Sequence, residues 1–430
     1  MTKFTSERAQ RPRRPERPEE RGIALILTLL VLSILIILIT QFAWSSKVER
    51  TIARNAKDDM KMLFAARGAV PLFEAYLRAD RNLQTNLDSL REDWAGDAQG
   101  YLPVNTIGDV NTRIRVADCE RFLNVNLLCD NATRPWAVGV LKRLAGHLGI
   151  QDGDTLVDKI AEYVSGVSAS GQMGSGTSGG ARGAPLTHPD ELLGMPDITV
   201  DQIYALIGTP DPNLDPTGGT GGMGGFGGMN PQAVSATPGL LDYLTTRGSK
   251  KININTASLD LLWAILPEQV GGRQIDRDAA VQAINTYRTG DDTSGTGTSA
   301  GSSVGTSTGA STADGTQRPG NDFKNVNELE QKVQGLQGVL NSSLGAAAPQ
   351  TGQQQQPQQP TQPQPQAAQA RTLRAMLTVE AEDYRVTVDC DRVGLHKTYE
   401  IYLKRGKEEF NVLMWRDVPV KPQVTNQSGI

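Results

Sequence analysis

The three cysteines are the residues best suited to covalent chemistry. Cys119 and Cys129 lie close together in the chain, and Cys390 lies far from both. In an oxidising compartment the first two could form a disulfide across a short loop. Small buried thiols that stay reduced are the alternative, and the sequence leaves both open. No Cys-x-x-Cys spacing occurs that would indicate a zinc site.

The common enzymatic motifs do not occur in this sequence. The three histidines, at positions 147, 188 and 396, are too scattered to predict a metal site or a catalytic triad. No Gly-x-Ser-x-Gly motif, phosphate-binding loop or His-Glu-x-x-His motif is found. A net charge of −4 is mild and does not favour nucleic acid as a partner. We therefore expect a protein that is not an enzyme.

One acidic segment resembles the start of a calcium-binding loop. Asp211, Asn213 and Asp215 alternate as the first ligands of such a loop do. The segment lacks the glycine at the sixth position and the glutamate at the twelfth, and Pro212 and Pro216 interrupt it. We interpret it as part of a linker.

A second segment resembles the helix-hairpin-helix family. Asn253-Ile254-Asn255 precedes two predicted helices, and DNA-binding members join such helices by a glycine-rich hairpin that offers backbone N–H groups to a phosphate. Here Glu268–Arg273 occupies that place, with Asp276 and Asp278 close behind. Because carboxylates repel phosphate, we interpret the unit as a structural or protein-binding version. The two asparagines are predicted to cap turns and to hold the segment extended.

The same order of features occurs twice, which suggests an internal repeat. Each set has an Asn-x-Asn, two predicted helices, a glycine-rich linker and a short acidic helix; chance similarity is the alternative. The first set comprises Asn124-Val125-Asn126, a helix with Trp136, a helix ending at Tyr163, and Asp190-Glu191-Leu192. The second comprises Asn253-Ile254-Asn255, a helix with Trp263, a helix ending at Tyr287, and Asn327-Glu328-Leu329.

A long apolar helix at the N-terminus must anchor these elements. Ile23 to Trp44 is free of charge, and as a helix it spans about 33 Å, enough for a hydrocarbon core of about 30 Å. The basic flank favours a cytoplasmic N-terminus and a bulk on the far side of the membrane. A secretory signal peptide is the alternative, but its apolar region is shorter and Gln41–Trp44 is a poor cleavage site. The flanking arginines are Arg11, Arg13, Arg14, Arg17 and Arg21.

The helical pattern continues beyond the apolar run. Val48, Ile52, Ala56 and Met60 recur at every fourth residue, so we expect the helix to extend to about residue 80. Pro71 should kink or break it.

The remaining chain predicts a sheet in two parts with a helical insert between them. Thr112–Val116 alternates polar and apolar residues, and Arg121–Asn126 is its predicted hairpin partner. Both parts should share one antiparallel sheet packed on the N-terminal helix, giving an α+β fold. The predicted C-terminal meander comprises Leu377–Val379, Tyr384–Val388, Thr398–Leu403 and Phe410–Leu413.

Glycine and proline are concentrated in four tracts, which separate the predicted regions. The predicted regions are a cytoplasmic leader 1–22, a transmembrane and amphipathic helix 23–80, a first β part 81–131, a helical insert 132–344 with loops 164–185, 209–238 and 289–320, a Gln/Pro-rich linker 345–371, a β-meander 372–418 and a tail 419–430.

A short basic leader that ends in glycine before an apolar helix resembles a type IV prepilin signal. By that resemblance, prepilin peptidase would cut after Gly22 and leave Ile23 as the mature N-terminus. Most members of the superfamily carry glutamate at the fifth mature position, whereas this chain has Leu27. An apolar residue there is typical of one family, the protein K (GspK) minor pseudopilins of type II secretion, and the Asn-x-Asn insert and the terminal meander ending at Trp415-Arg416 resemble that family too.

The resemblance implies a pilin-like helix on an antiparallel sheet with a large helix-hairpin-helix or SAM-like insert. It further implies a single-pass inner-membrane protein with a periplasmic bulk, at the tip of the pseudopilus, where it primes assembly and supports export across the outer membrane. Its partners would be the I- and J-type minor pseudopilins, the major pseudopilin and prepilin peptidase, without nucleic acid. Members of the family bind calcium in the insert, so the resemblance leaves room for calcium, but no ligand can be assigned.

Two other functions remain open on the sequence. One is a membrane-anchored helix-hairpin-helix protein that receives DNA for uptake, which would require a basic hairpin and salt-dependent binding. The other is a plain signal-anchored periplasmic scaffold, which would keep its leader and lack pseudopilin partners.

Overall fold

The structure is a computed structural model that describes residues 18–82, 87–97, 100–167, 182–210, 236–290, 320–342, 371–406 and 410–418. The calcium-like segment Asp211–Asp215, the tail 419–430 and most of the predicted glycine- and glutamine-rich tracts lie outside the described residues. The chain divides into two compact units, Met1–Phe64 and Ala65–Ile430, and each is described by itself.

The helices of the described residues differ greatly in length. They are α1 (Pro18–Asn82), α2 (Arg134–His147), α3 (Gly153–Ser165), α4 (Val200–Ile207), α5 (Leu259–Ile265), α6 (Arg277–Thr289) and α7 (Glu328–Lys332). Short 3₁₀ turns occur at Val125–Cys129, Pro189–Gly194, Leu240–Tyr243 and Leu373–Met376, among other places.

Four strands of nine to eleven residues form most of one sheet, and the others are two residues long. The strands are β1 (Thr106–Ile107), β2 (Val110–Asp118), β3 (Leu123–Asn124), β4 (Thr209–Pro210), β5 (Ala236–Thr237), β6 (Leu244–Thr245), β7 (Ile252–Asn253), β8 (Gln269–Val270), β9 (Arg273–Gln274), β10 (Leu377–Thr378), β11 (Asp383–Arg392), β12 (Leu395–Arg405) and β13 (Phe410–Val418).

In the first unit, α1 carries the predicted membrane span. The helix contains an 18-residue window with a mean hydropathy of 3.2, and the side chains from Ile23 to Trp44 are exposed. A continuous apolar surface without protein cover is what a hydrocarbon environment requires of a helix. Among the described residues, α1 is the one helix that is long and apolar enough to cross a membrane.

In the second unit, the end of α1 packs on a five-stranded antiparallel sheet. The strand order is β1-β2-β11-β12-β13, so the two predicted β parts share one sheet, as expected. Phe73 of α1 lies 5.4 Å from Tyr384 and 6.4 Å from Phe410, measured between ring centroids. The predicted α+β class is therefore confirmed by the helix and sheet themselves.

Of the kink or break expected at Pro71, the break is wrong, because α1 continues through it to Asn82. Proline removes one N–H from the helix ladder, which is costly in isolation. Here the turns around it bury Ala69, Phe73 and Leu77, and burial of a helix face supplies most of the stability of helices in proteins.

Two strand predictions are also wrong. Arg121–Asn126 is not the hairpin partner of β2, because a 3₁₀ turn at Cys119–Arg121 ends that strand and β3 pairs in parallel with β6. Leu377–Val379 does not belong to the meander, since β10 pairs in parallel with β7. A two-residue strand has too little pattern to reveal its partner in the sequence.

The predicted internal repeat is confirmed. Copy 1 runs from Leu123 to Thr245 and copy 2 from Ile252 to Thr378; each begins and ends with a two-residue strand, and the two strands of a copy pair in parallel. Two helices follow the first strand in each, α2 and α3 or α5 and α6. The repeated unit thus extends beyond the predicted insert 132–344 and includes the first residues of the predicted meander 372–418.

Candidate functional site

The predicted processing and assembly positions lie in the first turns of the exposed apolar helix. Gly22 and Ile23 both lie inside α1, and the side chain of Ile23 is 64% exposed. Leu27, at the predicted assembly position, is 60% exposed among other exposed apolar side chains. Between Gly22 and Leu27 the helix therefore offers apolar side chains and no carboxylate.

In copy 1, the side-chain amide of one asparagine forms the pair of hydrogen bonds that a neighbouring strand would form with a backbone. Asn126 donates through Nδ2 to the carbonyl of Leu186 at 3.0 Å and accepts from the N–H of Leu186 at 2.7 Å. A side-chain amide carries the same donor and acceptor pair as a peptide group, so it satisfies both backbone groups of one buried residue. Asn124 in turn accepts from the N–H of Asn126 at 3.0 Å, which holds this turn in place.

Copy 2 repeats this clamp at the matching positions. Asn255 donates to the carbonyl of Phe323 at 3.0 Å and accepts from its N–H at 2.9 Å. Asn253 accepts from the N–H of Asn255 at 2.9 Å. The predicted turn-capping role of the asparagines is correct, and the structure adds that the second asparagine of each pair joins the ends of a long loop to the core.

Copy 2 is tied to the sheet through a buried polar cluster. Asn253 donates to a carboxylate oxygen of Asp118 at 3.2 Å and to the carbonyl of Asp88 at 3.0 Å. The hydroxyl of Thr256 donates to the same oxygen of Asp118 at 2.7 Å. Since Asp118 is the last residue of β2, the cluster fixes the second copy against the end of a central strand.

Asp88 is fully buried and heavily hydrogen-bonded, although nothing in the sequence marks it. Arg405 donates to both of its carboxylate oxygens, at 3.0 and 2.6 Å, and Tyr384 donates at 2.5 Å. The N–H of Ala381 donates to it at 2.7 Å. Its partners lie about three hundred positions further along the chain, so no local pattern could have revealed the pairing.

Burial changes the protonation of two carboxyls in this region. It raises the pKa of Asp118 to about 6, although Arg121 partly opposes the change. It also raises the pKa of Glu120 to about 7, against a hydrogen bond from the N–H of Ser249. One oxygen of each carboxyl is buried without a hydrogen-bond partner, which accounts for the preference for the neutral form.

Copy 1 is tied to β12 and β13 of the sheet through His188. Its ring contacts Arg416 of β13, and Nε2 lies 3.4 Å from a carboxylate oxygen of Glu400 on β12. Asp190, two residues on, also pairs with Arg416. The sequence showed His188 as an isolated histidine; the structure gives it a role in holding the insert to the sheet.

The predicted hairpin between α5 and α6 is not built to receive a phosphate. Glu268 pairs with Arg277 at 2.8 Å, and Asp278 accepts from the indole N–H of Trp263 at 3.0 Å. Asp276 caps α6 by accepting from the N–H of Ala279 at 3.0 Å. Asp278 thus joins α6 to α5, while Asp276 stabilises the start of α6.

In the structure Cys119 and Cys129 are thiols that are not joined to each other, which is one of the two states that the sequence leaves open. Burial, aided by the neighbouring Glu120, raises the pKa of the Cys119 thiol well above its ordinary value. Burial also raises the pKa of Cys129, and that of Cys390 to about 12. Thiols held in the neutral form are poor nucleophiles.

The structure assigns no calcium ligands in the described part of the chain. Within those residues, no group of three or more histidine, cysteine, aspartate or glutamate side chains could hold a metal ion. The segment that resembles a calcium loop, Asp211–Asp215, lies outside them.

Comparisons with known proteins give a likeness to solved structures. No protein-family model matches the chain, and no curated protein matches its sequence. The structure is similar to a chain in the crystal structure of the GspK-GspI-GspJ complex from the type 2 secretion system of enterotoxigenic Escherichia coli, with 14% sequence identity and a TM-score of 0.47, over 85% of this chain and 99% of that chain. The fold class rests on this chain's own helices, strands and register.

Proposed function

We propose that this protein is a K-type minor pseudopilin of a type II secretion system. The observation that carries the proposal is one helix that begins as an uncovered apolar span and ends packed on an antiparallel sheet. This arrangement suits a subunit that is anchored in a membrane and then assembled through its helix. The glycine before Ile23 and the apolar Leu27 support the K type in particular.

In this role the chain crosses the inner membrane once, with a cytoplasmic leader 1–22 and a periplasmic bulk. Prepilin peptidase removes the leader after Gly22. The mature protein joins the I- and J-type minor pseudopilins at the tip of the pseudopilus, primes assembly of the major pseudopilin and so supports export across the outer membrane. The role of the protein is structural and does not involve catalysis.

Two features of the chain support a position at the tip. The insert adds two copies of a helical unit to the sheet domain, and such a bulk cannot be enclosed between stacked subunits of a narrow fibre. Leu27 cannot pair with the terminal amine of a further subunit as a glutamate would. A subunit at the end of the fibre does not have to be enclosed between stacked subunits, and it does not have to pair with the terminal amine of a further subunit.

Co-purification with partners tests this role. The full-length chain, expressed with the I- and J-type pseudopilins of its own host, should be recovered in a complex with both. Leu27→Glu should reduce the yield, because a carboxylate within the hydrocarbon is unfavourable unless it is paired. Leu27→Ala is the matched control and should preserve the complex. Recovery of the chain without either partner would contradict the proposal.

A further inference from the structure

The segment of α1 just beyond the apolar run carries its cations on one face. Lys47, Arg50, Arg54 and Lys57, called the basic stripe below, follow one another at intervals of three, four and three residues. All four are exposed. At 3.6 residues per turn they fall within an arc of about 80° and extend over about 15 Å of helix. Lys61 continues the same spacing.

On the exposed part of the same segment the acids are kept apart from the stripe. Glu49 and Asp59 lie about 80° and about 120° from its nearest edge, and Asp58, about 20° from that edge, is buried. An ordinary solvated helix face mixes charges of both signs, often as pairs four residues apart. Segregation of this kind leaves a strip of one sign, which attracts an anionic partner and repels a second copy of this chain.

The length of the stripe favours a protein partner over lipid headgroups. The apolar run ends at Trp44, an aromatic residue typical of the membrane interface. The headgroup layer extends only about 5–8 Å beyond the hydrocarbon, whereas Arg54 and Lys57 lie about 15–20 Å beyond Trp44 along the helix. Lipid could therefore meet Lys47 and Arg50, but not the second half of the stripe.

We propose that the basic stripe is a docking surface for an acidic helix of another membrane-anchored subunit, which runs alongside α1 and presents carboxylates at matching intervals of three and four residues. This inference depends on the proposed function as a pseudopilin, and it adds the chemistry by which one partner would be recognised. The apolar row of Val48, Ile52 and Met60 lies on the opposite side of the helix and remains open to a different neighbour.

A binding experiment with designed peptides tests the proposal. The full-length chain in phosphatidylcholine nanodiscs is titrated with a labelled helical peptide that carries glutamates at the matching spacing, and with a scrambled peptide of equal composition and helicity. The patterned peptide should bind at least about tenfold more tightly, and the preference should fall as salt rises from about 50 to about 500 mM.

Three variants make the result specific. Replacing all four stripe residues by glutamine should abolish the preference, whereas Lys47→Arg, Arg50→Lys, Arg54→Lys and Lys57→Arg together should preserve it. Replacing all four by glutamate should transfer the preference to a lysine-patterned peptide. Circular dichroism checks that helicity is equal in each variant.

Other outcomes overturn the proposal. Equal binding of patterned and scrambled peptides would mean a nonspecific charge effect. A glutamine variant that binds the peptide unchanged, but loses affinity for vesicles containing phosphatidylglycerol, would make lipid the occupant. Neither result bears on leader cleavage or on recovery of pseudopilin partners, so the proposed function would stand or fall separately.

Discussion

At the scale of single residues, the asparagine clamps are the most demanding contacts of the insert. Asn126→Ala should lower the free energy of unfolding by about 2–4 kcal/mol, because it leaves the buried N–H and C=O of Leu186 without partners. Urea unfolding of the detergent-solubilised full-length protein, followed by tryptophan fluorescence, measures the change. Asn111→Ala, at an exposed position of β2, is the control and should change stability by less than about 0.5 kcal/mol. Equal effects of the two substitutions would contradict the clamp.

Asp118 should make stability depend on pH. Its pKa of about 6 in the folded protein lies above the ordinary 3.8, so the folded state binds more protons than the unfolded state between about pH 4 and pH 6. Stability should therefore fall as pH rises through this window, by at most about 3 kcal/mol.

Asp118→Asn should flatten that slope, because asparagine keeps an oxygen that accepts from Thr256 and removes the charge. Unfolding measured at several pH values between about 4 and 8 tests this. Asp201→Asn, at an exposed position of α4, should leave the slope as it is. A steeper or unchanged slope in Asp118→Asn would be inconsistent with the buried carboxyl.

Residue-scale prediction from sequence succeeded where a motif was local. The paired asparagines were visible as Asn-x-Asn, and their turn-capping role follows from asparagine chemistry. Asp88, by contrast, belongs to no local motif. Its structural role depends on hydrogen bonds from Tyr384 and Arg405, which come close to it only in the folded protein. The role of His188 could likewise not be predicted from the sequence, because its partner Glu400 is distant in the chain.

At the scale of elements, the contact between α1 and the sheet should be a main source of stability in the second unit. Phe73→Ala should destabilise it by about 3–5 kcal/mol, because the ring is fully buried between Tyr384 and Phe410. Arg78→Ala, on an exposed part of the same helix, should cost less than about 1 kcal/mol. Thermal unfolding of the two variants checks the contrast, and a cost for Phe73→Ala as small as that of Arg78→Ala would refute the packing.

Long elements were predictable from their periodicity, whereas the two-residue strands were not. The span of α1 and the strands of the meander beyond Asp383 carry enough residues to show a period of 3.6 or 2. β3 and β10 were assigned to the wrong partners, because their pairing depends on the duplicated unit closing on itself. The repeat itself was detectable, since equivalent residues recur in the same order.

At the scale of the whole molecule, the chain combines a long apolar helix, a five-stranded antiparallel sheet and a duplicated insert. The helix and the sheet could be foreseen, because both depend on patterns of hydrophobicity over many residues. The attachment of the insert could not, because it depends on buried polar pairs such as Asn253 with Asp118 and Arg416 with Asp190. The proposed assembly role depends most on whether the start of α1 is processed as a prepilin signal.

The intact mass of the protein isolated from membranes, with and without prepilin peptidase, tests this most directly. We expect the peptidase to remove Met1–Gly22 and to leave a mature chain that begins at Ile23, and we expect Gly22→Leu to block the cleavage. A mass that still includes the leader in both samples would contradict this expectation and would favour a plain signal-anchored scaffold.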